Sequence, residues 1–108
     1  MARKSPLLSH AASSCSAGAD WTLEVKNDDG GLEVEYEVDS NVAGQTWAVS
    51  ITDNGKKVFK GNKVTKGASG SFTVEKHPAN LAGTDTVIAT ATNAASGETC
   101  TGQLAFGK

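Results

Sequence analysis

The chain has 108 residues, 38% hydrophobic and 20% charged, enough for one modest core and too few for two. A formal net charge of -2 gives no long-range attraction to nucleic acid or to an acidic membrane surface, and no apolar stretch approaches the length of a membrane-spanning helix. A soluble single domain is expected, with no nucleic acid and no membrane insertion among its partners.

The opening stretch MARKSPLLSHAASS carries Arg3 and Lys4, but only Leu7 and Leu8 stand where a signal peptide needs a long apolar run. Residues 1–14 read as a disordered leader, a truncated signal or a segment carried over from expression. Residues 15–108 then form a single β-sandwich domain. From Trp21 onward the hydrophobic period is two, in short runs separated by Gly, Asn, Asp and Ser clusters, as in antiparallel sheets. Trp21 to Lys26 turns Trp21, Leu23 and Val25 inward and ends at NDDGG. Leu32 to Asp39, LEVEYEVD, then alternates without a break, with Leu32, Val34, Tyr36 and Val38 on one face and Glu33, Glu35, Glu37 and Asp39 on the other.

Thr46 to Thr52 places Trp47, Val49 and Ile51 together. Asn54-Gly55 follows as a hairpin turn, because both central positions need positive φ and these residues tolerate it. Counting outward from that turn sets Val58 opposite Ile51 and points Phe59 to the other face, where it would be an exposed contact residue. A bulge near Gly61 would instead turn its ring inward, and the large area an aromatic buries favours that placement. Lys63 to Lys66 reads as a short edge segment. Ser71 to Lys76 turns Phe72 and Val74 inward. Asp85 to Asn93 alternates Val87, Ala89 and Ala91 with threonines and Ile88, and Thr99 to Phe106 brings Cys100, Leu104 and Phe106 to one face. About seven strands at this spacing, with no helical periodicity, predict an all-β antiparallel sandwich.

Cys15 and Cys100 bracket most of the domain without metal-ligand spacing. A single disulfide is the economical reading and implies an oxidising, secreted or extracytoplasmic setting, the alternative being two idle thiols in a reducing compartment. Cys15 lies just before the first strand and Cys100 in the last, so the bridge would tie the N-terminal approach to the final strand.

The segment GTDTVIATATNAASGETCTGQLAF, Gly83 to Phe106, resembles the last hairpin of bacterial immunoglobulin-like and fibronectin type III-like domains, and Trp47 resembles the core Trp of immunoglobulin folds. The resemblance implies an immunoglobulin-like sandwich in which the Leu32 to Asp39 strand lies between the Trp21 and Ser71 strands. A face carrying Glu24, Glu33, Glu35, Glu37 and Glu75 would result. The chain departs from antibody domains in its cysteine positions and in lacking the tyrosine-corner Tyr. Fold analogy brings no function with it.

Chemistry has few candidates. Carboxylates two residues apart on a strand stand roughly 6.5 to 7 Å apart, a spacing that overlaps the paired carboxylates of glycosidases. A small hydrolase using the acidic strand residues is therefore one reading, although acid/base work needs a carboxyl in a desolvated cleft and a flat wet face provides none. Calcium is a weaker alternative: it needs six to eight converging oxygens, of which NDDGG or DSN could offer some, although the spacing does not match the calcium loop. Zinc would need more ligands than two separated cysteines and the loop residue His77 can supply, so no metal or other cofactor is assigned. Lys56, Lys57, Lys60, Lys63 and Lys66, with Phe59 among them, could meet an anionic glycan, but lysines on edge strands also deter sheet-to-sheet pairing. The leading expectation is a secreted, non-enzymatic binding module, a monomer that recognises a protein through its acidic face. A purely structural appendage is the alternative.

Overall fold

The computed structural model describes residues 8–28, 30–80 and 83–107. They contain eight strands: β1 (Leu8–Ser14), β2 (Asp20–Asp28), β3 (Gly31–Asp39), β4 (Thr46–Asp53), β5 (Lys56–Val64), β6 (Ser71–Lys76), β7 (Asp85–Asn93) and β8 (Thr99–Phe106). Two four-stranded sheets result, in the orders β1-β2-β3-β6 and β5-β4-β7-β8, with every neighbouring pair antiparallel. The molecule is an all-β sandwich.

The inward residues named by the alternation form the core. Leu23, Val25, Leu32, Val34, Tyr36, Val38, Trp47, Ile51, Val87, Ala89, Ala91 and Cys100 are fully buried, and Leu104 is partly so. Tyr36 is the polar exception, and its hydroxyl donates to the Cys100 carbonyl at 2.8 Å, one sheet to the other. Burial pushes that phenol well above its usual range, so it stays a donor. Trp21 lies flat over Gly102. A Cβ there would come within 2.5 Å of the indole, so only glycine admits the ring.

Cys15 and Cys100 are bonded, with their Cα atoms 4.5 Å apart. Closing a loop of 85 residues stabilises the fold by about 4 to 5 kcal/mol in the chain-entropy description. The turn around the bridge is fastened a second time by Glu98, whose carboxylate accepts from the Ala17 and Ala19 amides at 2.9 and 2.8 Å. Ser16 and Thr99 add a reciprocal pair, Ser16 N–H to Thr99 carbonyl and Thr99 N–H to Ser16 Oγ, at 3.0 and 2.9 Å.

Three expectations need correction. Residues 8–14 are not a disordered leader: they form β1, paired with β2 from Leu8 opposite Lys26 to Ser14 opposite Asp20, while residues 1–7 lie outside the described residues. Backbone pairing and the anchored Cys15 turn hold this strand, and among its described side chains, Ser9 to Ser14, Ala11 packs against the core. The segment from Lys63 to Lys66 is not a separate strand, since β5 runs on to Val64 and Lys66 makes only an isolated bridge to Ser71.

The third correction concerns β5. Asn54 and Gly55 take the expected positive φ, and the register Thr52 opposite Lys57 follows, but Ile51 then faces Phe59. Val58 is the extra residue of a bulge. The shift turns Phe59 toward the core, over Gly61, where a Cβ would approach the ring to 3.2 Å. Lys76 Nζ on β6 stands 5.2 Å from the ring centroid, bringing the two sheets together along this edge.

Candidate functional site

β3 is flanked by β2 and β6, and the registers bring Glu24, Glu35 and Glu75 into one row across three strands. Glu33 and Glu37 stand two residues to either side of Glu35, on the same outward face. Five carboxylates from three strands thus share the outer face of one sheet. Like charges directly opposite on neighbouring strands oppose folding by roughly 0.2 to 1 kcal/mol each. Lys26 stands opposite Glu33, with its Nζ 3.9 Å from Glu33 Oε2, and His10 on β1 stands opposite Glu24.

The strain of the array is concentrated at its centre. The Glu35 carboxyl is held above its ordinary range, first by partial burial and then by Glu24, Glu75, Glu33 and Glu37. The face is therefore less uniformly wet than alternation alone implies. Asp39, the last carboxylate of the strand, serves the turn instead, with Oδ1 accepting from the Asn41 amide at 3.0 Å.

The second candidate, the basic edge, is not assembled into one surface. β5 is one of the two edge strands of its sheet. Lys57 and Lys60 lie opposite Thr52 and Ser50 on the outer face, whereas Phe59 and Lys63 lie opposite the buried Ile51 and Trp47 on the inner side. Lys56 sits beside the hairpin turn and Lys66 in the loop beyond Val64. This scatter along a sheet edge suits the blocking of edge-to-edge pairing.

Three surface grooves of about 470, 460 and 300 Å³ are open and shallow. One runs between β5 and β6 past Lys63, Lys66 and Phe72, another lies between Gly44–Thr46 and Asn93–Ser96, and the third lies over Ser50, Lys60 and Thr90. No carboxylate lines any of the three, so none offers the pair that the hydrolase reading requires.

Sequence reasoning set His77 aside as a lone loop histidine. Its Nε2 lies 3.1 Å from Glu75 Oε2, and one ligand atom from each of Glu33, Glu75 and His77 fits within 4.8 Å of the other two. The β3–β6 register would have revealed this, but only once the pairing of strands almost forty residues apart was known. Glu98, the clamp on the disulfide turn, was equally silent in the sequence. No family model matches the chain, and no curated protein or solved structure matches it either.

Proposed function

We propose that this chain is a secreted, non-enzymatic, immunoglobulin-like binding module whose outer β2–β3–β6 face receives a basic protein partner. The observation that carries the reading is the row Glu24, Glu35 and Glu75, three carboxylates set side by side where each weakens the fold of the free protein. A cationic partner would relieve that repulsion and gain electrostatic steering.

Other features support the parts of this reading. The strands β2-β3-β6 and β5-β4-β7-β8 follow the order of a fibronectin type III-like sandwich, with β1 added at the edge. The bridged cysteines suit an extracytoplasmic setting. A protein partner is favoured over a glycan because Trp21, Tyr36, Trp47, Phe72 and Phe106 are all buried, leaving half-buried Phe59 as the remaining aromatic for stacking.

The test is titration with a lysine-rich peptide at several salt concentrations. Wild-type protein should bind at low salt and lose affinity as salt rises. Replacing Glu33, Glu35 and Glu37 together by Gln should weaken binding and flatten its salt dependence while the fold stays intact. Binding unaffected by the triple replacement would remove the acidic face from the proposal and leave the appendage reading.

A further inference from the structure

The imidazole of His77 sets one corner of the acidic face apart from the rest. β3 and β6 pair antiparallel from Asp39 opposite Ser71 to Val34 opposite Lys76, and the same register continues past the strand end. The Leu32 amide donates to the Pro78 carbonyl at 2.9 Å, and Gly31 and Ala79 form an isolated bridge. His77 is thereby fixed opposite Glu33 across the ladder, and Glu75 lies two residues before it on the same face.

From this placement we propose that Glu33, Glu75 and His77 form a binding site for one divalent transition-metal ion of the zinc class. Two donors bound at about 2.0 to 2.1 Å on a tetrahedral ion stand roughly 3.3 Å apart. His77 Nε2 and Glu75 Oε2 are separated by 3.1 Å, and the ligand atoms of the triad lie within 4.8 Å of one another. A modest rotation of the Glu33 side chain completes a three-ligand set, with water in the fourth position. Glu33 and Glu75 stand on paired strands and His77 directly follows β6, where the Leu32–Pro78 hydrogen bond and the Gly31–Ala79 bridge continue the register, so the backbone brings the three donors to one corner.

The donor types select the metal. One imidazole nitrogen with two carboxylate oxygens suits zinc, and copper(II) or nickel(II) after it, whereas calcium would need several more oxygens than this corner supplies. The Lys26 ammonium, 3.9 Å from Glu33 Oε2, is the resident cation that a metal ion displaces. The site shares Glu33 and Glu75 with the proposed protein-binding face but requires no protein partner.

The experiment uses the oxidised full chain. Zinc chloride is added while the side-chain nitrogens of His77 and His10 are followed by NMR, with calcium chloride as a parallel titrant. The Nε2 resonance of His77 should move saturably at one ion per chain, with His10 and the calcium series unmoved. His77→Gln, Glu33→Gln and Glu75→Gln should each weaken zinc binding by at least about tenfold, and His10→Ala should leave it unchanged. Absence of saturable movement at His77 up to millimolar zinc, or full affinity in His77→Gln, would overturn the site. His77→Gln should leave lysine-peptide binding intact, whereas a Glu24→Gln, Glu37→Gln double variant should weaken the peptide and spare zinc, so either proposal can fail without the other.

Discussion

The two outer faces of the sandwich follow the same rule of alternation and use opposite chemistry. On β2, β3 and β6 the outward positions carry Glu24, Glu33, Glu35, Glu37 and Glu75 among Thr22, Lys26, Ser71 and Thr73, while on β4, β7 and β8 they carry Thr46, Ala48, Ser50, Thr52, Thr86, Ile88, Thr90, Thr92, Thr99, Thr101, Gln103 and Ala105. Both faces cover one shared core. A solvated strand face in this molecule therefore does not need carboxylates, because threonine fills the role on the second sheet with better strand propensity and no repulsion. The acidic face is a choice beyond what wetting requires, and that is the argument for giving it a partner.

The largest expected effects concern what the two faces share. Replacing Cys15 and Cys100 together by Ser should cost about 2 to 5 kcal/mol in chemical denaturation, since the bridge fastens the turn before β2 to β8. A change this large should loosen both sheets, and hydrogen exchange that rose only on the acidic side would break the symmetry assumed between them. Next comes Gly102→Ala, where the new Cβ meets the Trp21 indole, and overpacking of this kind typically costs about 1 to 3 kcal/mol. Tyr36→Phe removes the buried hydroxyl that reaches the Cys100 carbonyl, a loss of roughly 0.5 to 1.5 kcal/mol.

The smallest effects separate the faces. Glu35→Thr moves one position of the acidic sheet toward the chemistry of its counterpart and should stabilise the protein by roughly 0.2 to 1 kcal/mol at neutral pH and low salt. Thr90→Glu, made between Ser50 and Thr101, should change stability by less than about 0.5 kcal/mol, because no carboxylate stands opposite. Equal effects from the two replacements would contradict the claim that the array is under repulsion.

Dependence on pH sharpens the same point. A carboxyl held above its unfolded value favours its protonated form in the fold, so its ionisation lowers stability as pH rises from the unfolded value through the folded one. Glu35 should therefore add stability as pH falls from neutral into that window, against the usual acid loss. Glu35→Gln should remove that rise, and denaturation midpoints of both proteins across mildly acidic pH would show it.

Much of this arrangement was legible in the residues. Alternation named the inward side chains from Trp21 to Phe106, Asn54-Gly55 placed the hairpin, and two cysteines without metal spacing gave the bridge. Strand β1 escaped because LSHAASS has no alternating hydrophobic pattern and is held by backbone pairing instead. The inward turn of Phe59 by a bulge was foreseeable from the area its ring buries, but the bulge lies at Val58 and not near Gly61, a position that counting from a turn cannot fix. His77 escaped for a third reason: its neighbour Glu33 is set by long-range register, which no local pattern records.

The most direct test of the central claim is an amide-resolved NMR titration with a lysine-rich peptide at low salt. Saturable shifts confined to β2, β3 and β6, absent from β4, β7 and β8 and abolished by the Glu33, Glu35 and Glu37 to Gln replacement, are the predicted result. Shifts spread equally over both faces, or none at all, would contradict it.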